Sequence, residues 1–458
     1  MEAVIEILGV ISGFVWGPVM LVFLIGTGIY LTVGLKGYTF RHIPTAFRML
    51  GSGYERDATK GEISAFGALM TAMAGTVGTG SIVGVATALM AGGPGALFWM
   101  WCTAFVGMAT KFSEIVLAMY FRETSPGGNV VGGAMYYIKN GLGPKWVWLG
   151  TLFAIFTGLA CFGIGNMVQS NAIAGILTQS LNIPSWVTAA VLFVVVGLVI
   201  LGGVRRIGYV AARVVPTMVI VYIVAALFVV ISHYDLVIPT LQMVVHDAFN
   251  PASAVGGFAG ASVMMAIRFG MARGVFANEA GLGSAPIAHA TATSSPIRQG
   301  TLGMLEVFIT TFFICTMTGL TILITGQWCA EGAQGASVTA FAFESAMPGI
   351  GRYIVTFALA LFAFTTILGW CVYGERAWMY LCGDKALKPF RVFYTIIVPI
   401  GALVQIDFVW LFADVMNGLM ALPNLIALVL LSPVVFKIVR EGEKNKFWLH
   451  DKEAQSSE

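Results

Sequence analysis

The residues best placed to do chemistry lie in two glycine-rich interruptions of long apolar stretches, Ala74-Gly-Thr-Val-Gly-Thr-Gly-Ser-Ile-Val-Gly84 and Phe269-Gly-Met-Ala-Arg-Gly-Val-Phe-Ala-Asn-Glu-Ala-Gly-Leu-Gly-Ser-Ala285. In the first, Gly75, Gly78 and Gly80 crowd into six residues, and each glycine costs a helix roughly 1 kcal/mol relative to alanine. A helix unwound there turns the carbonyls of its first half toward the gap, which suits a small cation. Its second half, starting at Ser81, turns free amides and a positive dipole end toward the same gap, which suits a carboxylate. Gly80 with Gly84, and Gly75 with Thr79, are also small-xxx-small pairs, which alone mean only close helix packing. No strand precedes Gly78-Thr-Gly80, so it is not a dinucleotide fingerprint.

The second interruption places Arg268, Arg273, Asn278 and Glu279 within 12 residues of an apolar segment. Ionisable groups at such depth pair with one another or face a cavity; the plainer alternative is an Arg273–Glu279 pair that only fixes helix register. Phe269 offers an apolar wall, and Gly270 allows a close backbone approach. Two other helices present polar stripes at helical spacing. Gly158, Phe162, Gly165, Asn166 and Gln169 form one, from which Gln169 can donate to a carboxylate. Phe362, Thr366, Trp370 and Tyr373 form the other, with Thr365 alongside, and its paired hydroxyls resemble the oxygen shell of a hard cation. A lone intramembrane threonine more often bonds back to its own helix, and a lone tryptophan more often packs.

Weaker candidates complete the set. Lys111 and Glu114, one turn apart near the end of their span, read as a snorkelling pair. Glu306 and Glu375 read as solvated carboxylates near inner helix ends. His289 has no second histidine or cysteine at ligand spacing, so no metal site of that kind is expected, and the scattered acids supply no catalytic constellation.

The elements that must position these residues follow from composition. The chain is 58% hydrophobic and 10% charged, a balance that excludes a soluble globular domain and indicates an all-α polytopic membrane protein. Its net charge of +3 matters less than where the charges fall. Runs of membrane length predict about eleven helices, at 10–33, 64–90, 96–121, 148–178, 186–204, 209–231, 257–291, 300–326, 353–381, 392–406 and 408–437. Gly92-Gly-Pro-Gly95, Ser125-Pro-Gly-Gly128, Asn182-Ile-Pro184 and Asn250-Pro251 punctuate them. The acidic start Met1-Glu-Ala-Val-Ile-Glu is unlike a secretory signal, so the first span should be retained. Cys102, Cys161, Cys315, Cys329, Cys371 and Cys382 lack a pairing motif and read as small buried apolar residues.

With the N-terminus outside, the basic residues of the alternate loops, from Lys36, Arg41, Arg48, Arg56 and Lys60 through Arg122, Lys139, Arg205, Arg298, Arg376 and Lys385 to Lys437 and Lys452, all fall on the cytoplasmic side, against Arg352 on the other. Setting aside the segment 1–63, which holds the first helix and a cytoplasmic loop, leaves five helices in 64–231 and five in 257–437, followed by a tail at 438–458. Odd-numbered groups in succession have opposite orientations, the arithmetic of an inverted repeat whose first helices are the two broken ones.

At this point the residues carry a resemblance. Thr76-Val-Gly-Thr-Gly-Ser-Ile-Val-Gly-Val-Ala-Thr-Ala88, Gly92-Gly-Pro-Gly-Ala-Leu-Phe-Trp-Met-Trp101 and Ala277-Asn-Glu-Ala-Gly-Leu-Gly-Ser-Ala-Pro-Ile-Ala-His-Ala290 resemble the signatures of the alanine or glycine:cation symporter family, over nearly the whole chain. The resemblance implies the leucine-transporter fold, ten helices in two inverted repeats, here with one helix added in front. It implies import of small neutral amino acids, alanine and glycine, with sodium, although some members use protons. By resemblance, the substrate carboxylate falls on the Thr79 and Gly80 amides. Carbonyls of Ala74 and Val77 and hydroxyls of Thr365 and Thr366 fall on sodium. Ser81 stands where asparagine is common, which puts a second cation in doubt.

The expected mechanism is alternating access, with Gly78, Thr79, Gly80 and Gln169 at the carboxylate, carbonyls near Phe269, Gly270 and Met271 at the ammonium, and Thr366, Trp370 and Phe269 limiting the side chain. Arg273, Asn278, Glu279 and Ser81 are structural or coupling candidates. Expected partners are the amino acid, sodium and the lipid bilayer, with no organic cofactor and no nucleic acid. The competing readings are a symporter of the same fold for another small solute, driven by sodium or protons, and, further off, a channel, for which no charge ring or carbonyl filter is present.

Overall fold

The computed structural model describes residues 2–51, 61–250, 259–329, 335–404 and 406–444. Helices dominate it, and proline and glycine set their limits. Helices α1 (Glu2–Val15) and α2 (Pro18–Gly34) form one apolar rod bent at Gly17-Pro18. The first half then runs through α3 (Ala65–Thr76), α4 (Gly80–Gly92), α5 (Gly95–Tyr120), α6 (Pro144–Leu181), α7 (Ser185–Ile200) and α8 (Gly203–Ser232). The second runs through α9 (Ala259–Asn278), α10 (Ala285–His289), α11 (Pro296–Ile324), a short α12 (Ala336–Ala346), α13 (Gly351–Cys382), α14 (Leu387–Leu403) and α15 (Ile406–Lys444). Ser64 caps α3 by accepting from Gly67 N at 3.0 Å. Asn182, at φ 53°, stops α6 in the left-handed conformation.

Among the described residues, eight helices are long and apolar enough to cross a membrane, nine if the bent pair α3 and α4 counts as one. The expected eleven therefore include segments such as α7 that are shorter than a full span. Large apolar side chains that remain exposed, such as Val22, Phe193, Ile220 and Phe228, belong on a hydrocarbon-facing surface.

Two short strands show how the halves are opposed. Strand β1 (Ile63–Ser64), just before α3, pairs in parallel with β4 (Ala292–Thr293), just after α10; β2 (Glu123–Thr124) and β3 (Val130–Val131) form a hairpin. The first broken helix thus leaves the end of the bundle at which the second arrives. The same end gathers Glu62, which accepts from Arg376 Nη2 at 2.7 Å and Val130 N at 2.8 Å. It also holds Arg122, bound to Ala292 O at 2.6 Å, and Asp384, bound to Ser125 Oγ and Gly127 N, both at 2.8 Å. Loops that the basic residues assign to one face do meet there; Arg56, Lys60 and the tail after 444 lie outside the described residues.

Candidate functional site

The helical ladder of α3 ends where Val77 N donates to Met73 O at 2.8 Å, and resumes where Ser81 N donates to Gly78 O at 3.2 Å. Between these points the axis bends by 50°. Thr79 N leaves the ladder altogether and donates to Gln169 Oε1 at 3.4 Å. The Gln169 amide donates in turn to Thr79 Oγ1 at 3.1 Å, and is anchored on Ile164 O at 2.9 Å within a wide π-helical turn of α6, Gly163–Met167. From the other side comes α13, whose Thr366 hydroxyl lies 3.5 Å from Val77 O. Gly78 is glycine because a Cβ there would overlap Thr366 Oγ1 and come within 3.3 Å of Gln169 Oε1. Gly78, Thr79, Gln169, Val77 and Thr366 are therefore one buried cluster.

Its oxygens sort by kind. Thr365 and Thr366 both donate to Phe362 O at 2.9 Å, the back-bonding expected of helical threonines, yet Thr366 also faces Val77 O. Thr365 turns the other way, with Met218 Sδ of α8 at 3.6 Å. Carbonyls and hydroxyls without a carboxylate, deep in the bundle, suit a singly charged hard cation better than a transition metal. The Phe362 carbonyl, invisible to a reading of side chains, completes this set. Ala74, one turn below Val77, is fully buried in α3. Gly80 packs on Phe276 and Ala277 of α9, and so meets the second broken helix directly.

The stripe on α6 divides. Gln169 faces the break, while Gly165 faces α13, where a Cβ on it would overlap that of Trp370. Asn166 instead donates to Tyr394 O of α14 at 2.8 Å, and Phe162 packs among Phe390, Phe393 and Tyr394. On α13, Trp370 donates its indole N–H to Glu279 Oε1 at 3.0 Å, while Tyr373 OH bonds Ala72 O at 3.3 Å. Ser81 is buried with its hydroxyl unpartnered, and its carbonyl accepts from Thr318 at 3.0 Å.

The second break differs from expectation. Helix α9 continues unbroken through Phe269, Gly270 and Met271, so their carbonyls belong to a regular helix, and Gly270 fits closely against Ala96 and Trp99 of α5. The chain leaves the helix at Glu279, which adopts φ 54°, followed by Gly281 and Gly283 at φ 89° and 76°. Asn278 caps this end by accepting from Ala280 N at 3.0 Å and donating to Thr311 at 3.3 Å. Glu279 accepts from Ser284 Oγ at 2.7 Å as well as from Trp370.

Several charges pair otherwise than their spacing suggests. Arg273 does not meet Glu279 but holds both oxygens of Asp414 on α15 at 3.3 Å, beside Phe276 and Trp410. Lys111 and Glu114 are no snorkelling pair: both are fully buried, with Lys111 bound to Glu306 at 3.2 Å and Glu114 bound to Asn424 and, at 3.2 Å, to Gly283 N. Glu306 and Glu375 are likewise buried rather than solvated, Glu375 pairing with Arg391 at 2.6 Å. His289 lies between Glu306 and Gln299. Of the cysteines, Cys329 and Cys382 are exposed, contrary to their reading as buried residues, because each lies at the end of its helical segment.

Known proteins match this chain over most of its length. The family described as the sodium:alanine symporter family matches residues 1–456. An uncharacterized transporter of Haemophilus influenzae is 46% identical over 440 residues, covering 95% of both chains. The sodium/alanine symporter AgcS of Methanococcus maripaludis is 43% identical over 451 residues, covering 96% of this chain and 98% of the relative. Among solved structures, MhsT in complex with L-phenylalanine aligns with TM-score 0.54 at 14% identity, over 84% of this chain and 99% of that one. A sodium-coupled sialic acid symporter aligns with TM-score 0.54 at 11% identity, over 92% and 98%. These two share the fold, that of the leucine transporter. Two broken helices crossing in opposite directions, with the match in sequence over nearly every residue, make this multi-pass membrane protein a transporter of the sodium:alanine symporter family.

Proposed function

We propose that the protein imports small neutral amino acids, alanine and glycine, together with sodium, by alternating access. The observation that carries this reading is the double use of one helix break: Val77 O faces the Thr366 hydroxyl, while two residues further along Thr79 N faces an amide oxygen of Gln169. The first half of the break takes the cation on the carbonyls of Ala74, Val77 and Phe362 and the hydroxyl of Thr366, with the Thr365 hydroxyl, turned toward Met218, reaching it only after a change of rotamer. The second takes the substrate carboxylate on the amides of Thr79 and Gly80, with Gly78 admitting it and the Gln169 side chain, whose oxygen stands in the carboxylate's place, turning to donate its NH2. Trp370, seated on Gly165 and held by Glu279, bounds the space for the side chain. A methyl group contributes only about 1–3 kcal/mol to discrimination, so such a site excludes bulky residues but separates alanine from glycine weakly.

Residues 64–231 and 257–437 act as the two inverted halves, with the N-terminus outside and the C-terminus in the cytoplasm, as the placement of Lys and Arg favours. Arg273 with Asp414 ties one end of the bundle and Arg376 with Glu62 the other, so each end has an ion pair able to open in turn. Proteoliposomes with an imposed sodium gradient test the reading. Labelled alanine should accumulate above its outside concentration, and glycine should compete better than leucine. Uptake unchanged with potassium on both sides contradicts sodium coupling, and equal uptake driven by a proton gradient favours the proton-coupled alternative.

A further inference from the structure

Glu306 of α11 stands outside the cluster at the first break, yet its buried carboxylate collects donors from three other helices. Lys111 Nζ of α5 reaches Oε1 at 3.2 Å. The hydroxyl of Thr76, the last residue of α3 before the first break, donates to the same oxygen. His289, the last residue of α10 beyond the second break, places Nε2 3.3 Å from Oε2. Gln299 settles the histidine tautomer: its NH2 faces Ala65 O at 3.2 Å and His289 Nδ1 at 2.8 Å, so Nδ1 accepts and Nε2 donates to Glu306. Ala65 is the first residue of α3. One network therefore holds both ends of α3 and the far end of α10.

The ammonium of Lys111 is enough to balance the charge of one buried carboxylate. The other two bonds serve position, because they reach the two half-helices that flank the breaks on the β1–β4 side. The nearby carboxylates have partners of their own, Glu114 on Asn424 and Glu279 on Ser284 and Trp370. We infer that Glu306 is a positioning residue that joins the half-helices α3 and α10 into one unit through Thr76 and His289, and so sets the carbonyl geometry that sodium meets at Val77. This rests on the sodium-coupled reading above.

Sodium-driven alanine uptake, with sodium-dependent thermal unfolding of the purified protein, tests the assignment. Glu306→Gln leaves Lys111 buried without a counter-charge and loses stability whatever its role. Thr76→Val is cleaner, since it keeps the ion pair. It should raise half-saturating sodium about fivefold, with the maximal rate within about twofold and the sodium-free Tm unchanged. The double variant Lys111→Met with Glu306→Leu removes both charges and leaves only the neutral His289 donor unpaired, so its sodium-free Tm should lie above that of Glu306→Gln while half-saturating sodium stays about tenfold high. Parental sodium dependence in both variants overturns the positioning role while leaving the sodium-coupled reading intact. Uptake by the unaltered protein that ignores sodium overturns both.

Discussion

At the first break the chain leaves its helix among glycines and threonines, and its freed backbone groups meet hydroxyls and an amide side chain from other helices. At the second it leaves at Glu279, a non-glycine residue in the left-handed region, whose carboxylate is already bonded to Ser284 and Trp370. The left-handed conformation costs a side-chain-bearing residue of order 1–3 kcal/mol, and surrounding bonds must hold it. The two halves repeat a topology but not a chemistry: the freed groups of the first break face only the side chains of Thr366 and Gln169, and the second spends its own on fixing Trp370 and the helix end. On this account substrate and cation contact the first broken helix most, and the second shapes the chamber around them.

The largest effect should come from crowding the first break. Gly78→Val drives a side chain into Thr366 and Gln169, and uptake should fall to background while membrane insertion, followed by surface labelling, persists. Next, Thr366→Val keeps the shape and removes a hydroxyl; it should raise half-saturating sodium about tenfold, roughly 1.4 kcal/mol, while Thr365→Val, whose hydroxyl faces Met218, shifts it by less. Glu279→Gln acts on the second break. It trades one acceptor for a donor against Ser284 or the Trp370 indole, and competition assays should show larger amino acids admitted while the sodium dependence moves by less than about threefold. The smallest effect is expected from Phe269→Leu, in the unbroken part of α9, with half-saturating alanine within about twofold of the parent. A larger change at Phe269 than at Thr366 would reverse the comparison.

The sequence reveals the architecture because a bilayer imposes lengths and leaves few ways to satisfy a backbone, so apolar runs and their glycine and proline stops map onto real helices. It reveals the first break because glycines there both weaken the helix and leave room for Thr366 and Gln169. The sequence brackets the second break within 269–285, but places its ligand-facing carbonyls near Phe269, Gly270 and Met271, at the start of that stretch, where Gly270 and Gly274 sit in unbroken helix. Their use is close packing against Ala96, Trp99, Met100 and Thr103, while the actual stop lies at Glu279, Gly281 and Gly283. Charge pairing was hidden for a different reason. Local spacing suggests partners one turn away, whereas Lys111 meets Glu306, 195 positions along, and Arg273 meets Asp414, 141 positions along. Such pairs depend on how helices cross, which periodicity within one helix does not encode.

The central claim is that sodium and the amino acid occupy adjoining halves of the same helix break and favour each other's binding. Equilibrium binding of alanine to the purified protein, measured over a range of sodium concentrations at constant ionic strength with potassium as replacement, addresses it most directly. The account predicts that sodium tightens alanine binding and that alanine tightens sodium binding by the same factor, and that Thr366→Val diminishes both. Alanine affinity that is equal in sodium and in potassium would contradict it.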